Sequence, residues 1–509
     1  MFALTPLFVA ASLAISGVHA ACPDYSGYSR SPQGNPSVGP LALPFMRPSE
    51  DCRTFKSPAV EKVIADMKER IKNPDLARLF ENTFPNTLDT TVKYFNKTEN
   101  LAFIITGDIT AQWLRDTANQ FAHYQALLPQ DKELQALVKA VINNEARYIK
   151  QYPYCGAFQP PKESGLQPTH NDWNDGVMVT PSIDTTVVFE CKYELDSLCG
   201  FLKLSRGYYQ NTGDSSFIND DWNAAIAKIF QTIDEQSQPT FDENFNKLVY
   251  YSWTGGNGAL SPMVNNQGIG EPAAYTGMVK THHRPSDDLS TFAFLTPANA
   301  MLSVELKHLH DILTKAGVQE DVAEQAETLS RRIEKAIWKN TVVDDVFAYE
   351  TNGFGGRYVM DDANVPSLLS LPYLGFLDRK DRAYVKTRGV LLSRGNPYYA
   401  RGKKFFGTGG PHVSIADPWP MSLVSAIYGT DNDTEITELL YTVVNNTAGL
   451  GLIHESVNIY SEFGYTRSWF AWANSYFAEM ILDLAKRKPH LIFKDEKPYN
   501  VQTDLKVSA

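Results

Sequence analysis

"STFAFLTPANAMLSVELKHL", Ser290 to Leu309, offers apolar side chains on nearly every side of a helix. Such a helix has no face for water and must be covered by other helices. "SIDTTVVFECKYELDSLCGFL" (Ser182 to Leu202) and "SWFAWANSYFAEMILDL" (Ser468 to Leu484) share that character. Between them run segments with one apolar stripe at a 3.6-residue period. Leu134, Leu137, Val138, Val141, Ile142 and Ile149 form one, and Trp222, Ala225, Ile226, Ile229, Phe230 and Ile233 a second. Val322, Ala326, Leu329, Ile333, Ala336 and Ile337, then Ile436, Leu439, Leu440, Val443 and Val444, repeat the pattern. A striped helix packs one face and wets the other, so these predict an outer layer around the fully apolar ones. The alternation runs about a dozen times along the chain, and the simplest object it predicts is two concentric rings, an all-α (α/α)6 barrel. "LAFIIT" (Leu101 to Thr106), "KLVYYSW" (Lys247 to Trp253) and "VFAYET" (Val346 to Thr351) are expected as hairpins among long loops on one rim.

The ends of the chain read differently. "MFALTPLFVAASLAISGVHA" is an apolar run closed by Val18-His19-Ala20, a small-x-small pattern, and predicts a signal peptide over 1–20 and a secreted protein. Its first residues carry no Lys or Arg, unlike the usual leader. A Pro/Gly/Ser-rich stretch over 21–56 predicts an irregular arm on the surface. Ser57-Pro58 reads as an N-cap and first helical residue, opening a catalytic body over 57–490, with a tail over 491–509. No later run approaches the roughly 20 apolar residues that span a bilayer, so no membrane partner is expected. A net charge of −11 without a Lys/Arg-rich block argues against nucleic acid, and a monomer is expected. The five cysteines lack metal-ligand spacing. The expected pairs are Cys22–Cys52 and Cys191–Cys199, with one thiol left buried. Asn96, Asn432 and Asn445 stand in glycosylation sequons.

Polar clusters interrupt the helices at their starts: "GDITAQWLRDTANQ" (Gly107 to Gln120), "THNDWNDG" (Thr169 to Gly176), "THHRPSDDLSTF" (Thr281 to Phe292), "TNGFGGRYVMDDANVPS" (Thr351 to Ser367), "GTGGPHVSIADPWPMS" (Gly407 to Ser422) and "GLIHESVNIYSEFGYTRSWFAWANS" (Gly451 to Ser475). Carboxylates, amides and arginines bond hydroxyls, and aromatic rings pack on the C–H face of a pyranose, so the mixture suits a neutral polyhydroxyl ligand. Cleaving a glycosidic bond takes one protonated carboxyl and one carboxylate. Asp287 and Asp288 offer the first, and Glu455, between His454 and Ser456, offers the second.

Each residue also has a structural reading. Asp287 or Asp288 can cap a helix, Glu455 can pair with Arg467, and Trp113 and Trp472 can be core. His282, His283, His412 and His454 lack the HExxH spacing of a zinc site, and Gly353, Gly355 and Gly356 lack the Lys-Ser/Thr of a phosphate loop. No serine sits in a G-x-S-x-G elbow, which weighs against an acyl hydrolase.

Taken in order, "GDITAQWLRDTANQ", "FECKYELDSLC", "RPSDD", "VPSLLSLPYLG" and "HES" followed by "TRSWFAWANS" resemble glycoside hydrolase family 125, the exo-acting α-1,6-mannosidases, from about Ser57 to Leu484. The resemblance implies an (α/α)6 barrel without metal or cofactor and hydrolysis with inversion. Its acid falls on Asp287 or Asp288, and its base on Glu455. A mannose-containing glycan is then the partner, with Arg115 and Asp116 closing a mannose-sized pocket whose other contacts come from Asp108, Trp113, His282, Arg284, His454 and Trp472. Gln112 and Thr117 stand where the bacterial pattern has methionine and serine, so the exact contacts differ. Rival readings are another inverting (α/α)6 glycosidase, acting on glucosides or trehalose, and a silent glycan-binding protein of this fold.

Overall fold

The computed structural model describes residues 22–255 and 266–505. The expected signal peptide lies outside the described residues. Among them are twelve α-helices of seven residues or more, joined by loops and strands of two to five residues. The striped segments fold as read, into the helices Lys132–Gln151, Asp220–Ser237, Glu320–Thr341 and Asp433–Val444. Most stripe residues are buried, Val322 and Leu329 only partly, and polar Asn144, Glu145 and Thr232 are buried beside them. No described helix is long and apolar enough to cross a membrane.

Six buried helical segments, the apolar ones among them, form a closed circuit. Leu114–Gln120 packs on Leu195–Thr212, which packs on Thr296–Ala316; that helix meets the single turn Leu371–Leu374, then follow Pro420–Tyr428 and Ala471–Arg487, which returns to Leu114–Gln120. Other helices cover this circuit. Lys132–Gln151 lies against Leu195–Thr212, Glu320–Thr341 against Thr296–Ala316, Asp433–Val444 against Pro420–Tyr428, and Pro74–Thr83 against Ala471–Arg487.

The two sets begin differently. Ser57, Asn73, Asp131, Asn219, Asp381 and Asn432 each cap a helix outside the circuit by accepting a first-turn N–H, while the covering helix Glu320–Thr341 lacks such a cap. The six circuit helices start after Trp113, Glu194, Leu295, Ser370, Trp419 and Phe470, none of which caps through its side chain. The chain enters them straight from the polar clusters, and short antiparallel strands hold several of these entries. Gln112–Trp113 and Val188–Glu190 flank Ala157–Phe158, and Phe294–Leu295 pairs with Glu350–Thr351.

Two expectations need correction. Ser182–Leu202 is not one helix: Val188–Glu190 is a strand, and helix begins at Leu195. β-branched Val187 and Val188 favour the extended state once a partner strand is present. Cys22–Cys52 forms, but Cys191 bonds Cys155 rather than Cys199, which is free and buried. Pairing of Ala157–Phe158 with Val188–Glu190 brings Cys155 and Cys191 together, whereas Cys199 lies inside the following helix. The N-terminal arm is irregular apart from the short turns Tyr25–Tyr28 and Glu50–Cys52, and most of it is exposed, with a few buried anchors. Tyr25 is buried edge-on against Trp469, and its hydroxyl donates to the Met46 carbonyl at 2.8 Å.

Candidate active site

Five of the six circuit helices bring their starting residues to one cavity of about 1000 Å³. Trp113, Arg115 and Asp116 come from the first, Glu190 and Lys192 precede the second, Asp287 to Ala293 lead into the third, His412 and Trp419 precede the fifth, and Phe470 and Trp472 open the last. Asp108, His282 and Glu455 also line it. Carboxyls from the two separated motifs, Asp287-Asp288 and Glu455, therefore share one space.

Arg115 is the centre of the floor. It is buried, and its guanidinium lies 2.8 Å from Glu194, 3.2 Å from Asp116, 3.5 Å from Asp287 and 3.8 Å from Asp196, and 5.4 Å over the Trp472 ring. One cation cannot neutralise four acids, so protons are retained. Burial pushes Asp116 up to about 6 and Asp196 up to about 7 despite Arg115. Burial likewise holds Glu194 well above the usual carboxylate range. Asp287 goes the other way: burial opposes its charge, but Lys192, Arg115 and a hydrogen bond with Glu194 hold it below the usual range. Glu194 and Asp287, both beside Arg115, are thus pushed apart, the more buried Glu194 toward its neutral form and Asp287 toward its charged one. Asp287 also adopts the left-handed region, φ 68°, a strained state for a non-glycine residue.

Asp288 is fastened differently. Its carboxylate accepts from the Ser286 hydroxyl at 2.9 Å and lies 3.5 Å from His412 Nδ1. Burial disfavours charge on His412, but Asp288, Asp287 and Glu455 outweigh it and raise it to about 9. One imidazolium therefore feels all three candidate acids. Glu455 begins a hairpin: Ser456–Val457 pairs with Tyr465–Thr466, so the Thr466 hydroxyl donates to Glu455 Oε2 at 2.8 Å. Arg467 lies 3.5 Å from Glu455 and 2.7 Å from Asp108, with its guanidinium 4.4 Å over the Phe470 ring. The ion pair weighed as a structural alternative for Glu455 exists, and it is part of the cavity wall.

Trp472 Nε1, a buried donor in the cavity floor, has no hydrogen-bond partner. Buried polar groups in folded proteins are nearly always bonded, so this donor is free to bond a polar ligand in the cavity.

Arg284 and His454 do not line the cavity. Arg284 Nε donates to Glu350 at 2.6 Å behind the wall, and Glu350 also accepts from the Thr291 and Phe292 N–H groups. That pair holds the loop carrying Asp287 and Asp288. His454 is stacked on Tyr465, lies 3.1 Å from the Thr447 carbonyl, and is kept neutral by burial, its pKa lowered to about 4. His282 lines the wall as a neutral ring, lowered by burial to about 4. The sequence reading missed Glu190, Lys192, Glu194, His412, Trp419 and Arg467 as site residues. All lie within runs it quoted, and their only signal was polarity immediately before an apolar helix.

Carboxyls from distant motifs around a cavity lined by aromatic and charged side chains, carried on the starts of buried helices, are the equipment of a helical glycoside hydrolase. Residues 73–482 match the family model described as metal-independent alpha-mannosidase (GH125), and the chain belongs to that family. The chain is 47% identical over 486 residues to the meiotically up-regulated gene 157 protein of Schizosaccharomyces pombe, covering 93% of this chain and 95% of that protein. It is also similar to a solved structure of a metal-independent α-mannosidase from Streptococcus pneumoniae, determined as a non-productive complex with α-1,6-mannobiose. There the identity is 28%, the coverage 84% of this chain and 99% of that one, and the TM-score 0.76.

Proposed function

We propose that this protein is a secreted, inverting exo-α-1,6-mannosidase that removes terminal mannose from N-glycans or mannans, built as an (α/α)6 barrel. The observation that carries the reading is the meeting of Asp287, Asp288 and Glu455 around one cavity whose floor is Arg115, Asp116 and Trp472. The closed packing circuit of six helices, four of them covered by further helices, supports the barrel. Membership of an α-mannosidase family and similarity to a protein crystallised with the 1,6-linked disaccharide support the linkage. The disulfide Cys22–Cys52 and Cys155–Cys191 pairs fit an oxidising compartment.

Of the two aspartates, Asp287 is the proposed acid. Its side chain is 21% exposed against 13% for Asp288, its backbone is strained, and it shares Arg115 with Glu194, whose carboxyl is kept toward the protonated form by burial. Asp288 is held by Ser286 and His412 and orients the loop. In the proposed mechanism the Asp287–Glu194 pair supplies a proton to the glycosidic oxygen as the bond to C1 breaks. Glu455 accepts a proton from the water that attacks C1 from the opposite face. This requires a carboxyl separation of roughly 6.5–9.5 Å across the bound sugar. Product analysis on α-1,6-mannobiose beside gluco-disaccharides tests the reading. Mannose release from the first alone supports it, and preferential release of glucose would replace it with the glucosidase reading.

A further inference from the structure

The cavity runs from a buried floor to an open rim. Trp472, Asp116 and Arg115 are 1%, 3% and 4% exposed, whereas Trp173, which lines the same space, is 62% exposed. A volume of about 1000 Å³ lies at the top of the roughly 300–1,000 Å³ range that holds whole drug-sized ligands, and one sugar ring does not fill it. The mannose-sized pocket expected from sequence is therefore only the floor. The remaining space belongs to whatever is still attached to the terminal sugar.

Trp173 is built into that space. It sits in the tight turn Asp172–Asn174, and its N–H donates to the Asn171 side chain at 3.1 Å. The side-chain amides of both Asn171 and Asn174 donate to the Phe189 carbonyl, so the turn hangs from a single point on the Val188–Glu190 strand. The Phe189 ring in turn packs edge-on against Trp113, 5.5 Å away, in the wall of the floor. An exposed indole forfeits the burial that indoles usually find, yet this one is held in place and joined mechanically to the sugar-binding floor. Exposed His170 and Asp172 flank it with hydrogen-bonding groups.

We propose that Trp173 is the stacking platform of an outer subsite that takes the mannose rings on the leaving-group side beyond the first, so that the enzyme selects α-1,6-mannan chains over the disaccharide. The inference rests on the mannosidase reading above. An indole face matches the C–H face of a pyranose without demanding charge or a particular hydroxyl pattern, which suits successive identical rings. Asn171 and Asn174 act as positioning residues for it.

The test compares kcat/KM for α-1,6-linked mannobiose, mannotriose and mannotetraose in the wild type, Trp173→Ala, Trp173→Phe and Asn174→Ala. The wild type is expected to gain with chain length. Trp173→Ala should lose about tenfold on mannotetraose, mainly through KM, and several-fold less on mannobiose; this corresponds to about 1.4 kcal/mol of stacking. Trp173→Phe should recover part of the gain, and Asn174→Ala should behave as a weaker Trp173→Ala. A wild type indifferent to chain length, or an equal loss on all three substrates, would overturn the outer subsite while leaving the mannosidase reading intact. Absence of turnover on every substrate would strike that reading instead. Calorimetric titration of mannotetraose then decides the subsite: weaker binding to Trp173→Ala than to wild type supports it, and equal binding overturns it.

Discussion

Asp116 should be an acid that costs the protein stability. It is buried with Arg115 3.2 Å away, and burial raises it from 3.8 to about 6. The folded state therefore prefers the neutral carboxyl by about two pKa units, at about 1.4 kcal/mol each. An acid with a raised folded pKa binds more protons folded than unfolded, so stability falls as pH rises from the unfolded value toward the folded one. The penalty is absent below about pH 4, grows between about 4 and 6, and reaches on the order of 2–3 kcal/mol above 6. Asp116→Asn keeps the shape and removes the charge. The variant should gain about that much over wild type at pH 7.5 and close to nothing at pH 4, read from urea unfolding at the two pH values. It should also lose kcat/KM roughly 10- to 150-fold, because a hydrogen bond from a sugar hydroxyl to a charged group contributes about 1.5–3 kcal/mol. An equal stability change at both pH values, or a variant that is less stable at pH 7.5, would refute the electrostatic account of the floor.

Glu455→Gln should lower kcat by roughly 10²- to 10⁴-fold while mannobiose still binds, measured by turnover and by calorimetry, since general-base catalysis is removed without altering shape. Arg284→Met should destabilise the fold by about 3–5 kcal/mol, seen as a lower unfolding midpoint, because it strands buried Glu350. Cys191→Ser opens a loop with a sequence separation of 36 residues and should cost about 4 kcal/mol in the same assay, whereas Cys199→Ala, altering no disulfide, should cost much less.

Helical periodicity was legible wherever packing has one answer. The stripe from Leu134 to Ile149 could only face inward, and it does. The polar runs were legible as a group because they break that periodicity at helix starts. What the sequence concealed depends on contacts between distant segments. Nothing local distinguishes Cys155 from Cys199 as the partner of Cys191; a two-residue strand pairing decides it. Arg284 and Asp287 are three residues apart, yet a tight turn sends one behind the wall to Glu350 and the other into the cavity. Glu194 was hidden inside a segment read as continuous apolar helix, where nothing local sets it apart from Asp184, Glu190 and Asp196. Its importance comes from Arg115, 79 positions earlier.

The most direct test is proton NMR of α-1,6-mannobiose as the enzyme begins to act, watching which anomer of free mannose appears before mutarotation. Attack by a water activated at Glu455 from the face opposite the departing sugar must release β-mannose first. Initial appearance of the α-anomer would mean that a carboxylate attacks the sugar directly, and the division of roles between Asp287 and Glu455 would be wrong.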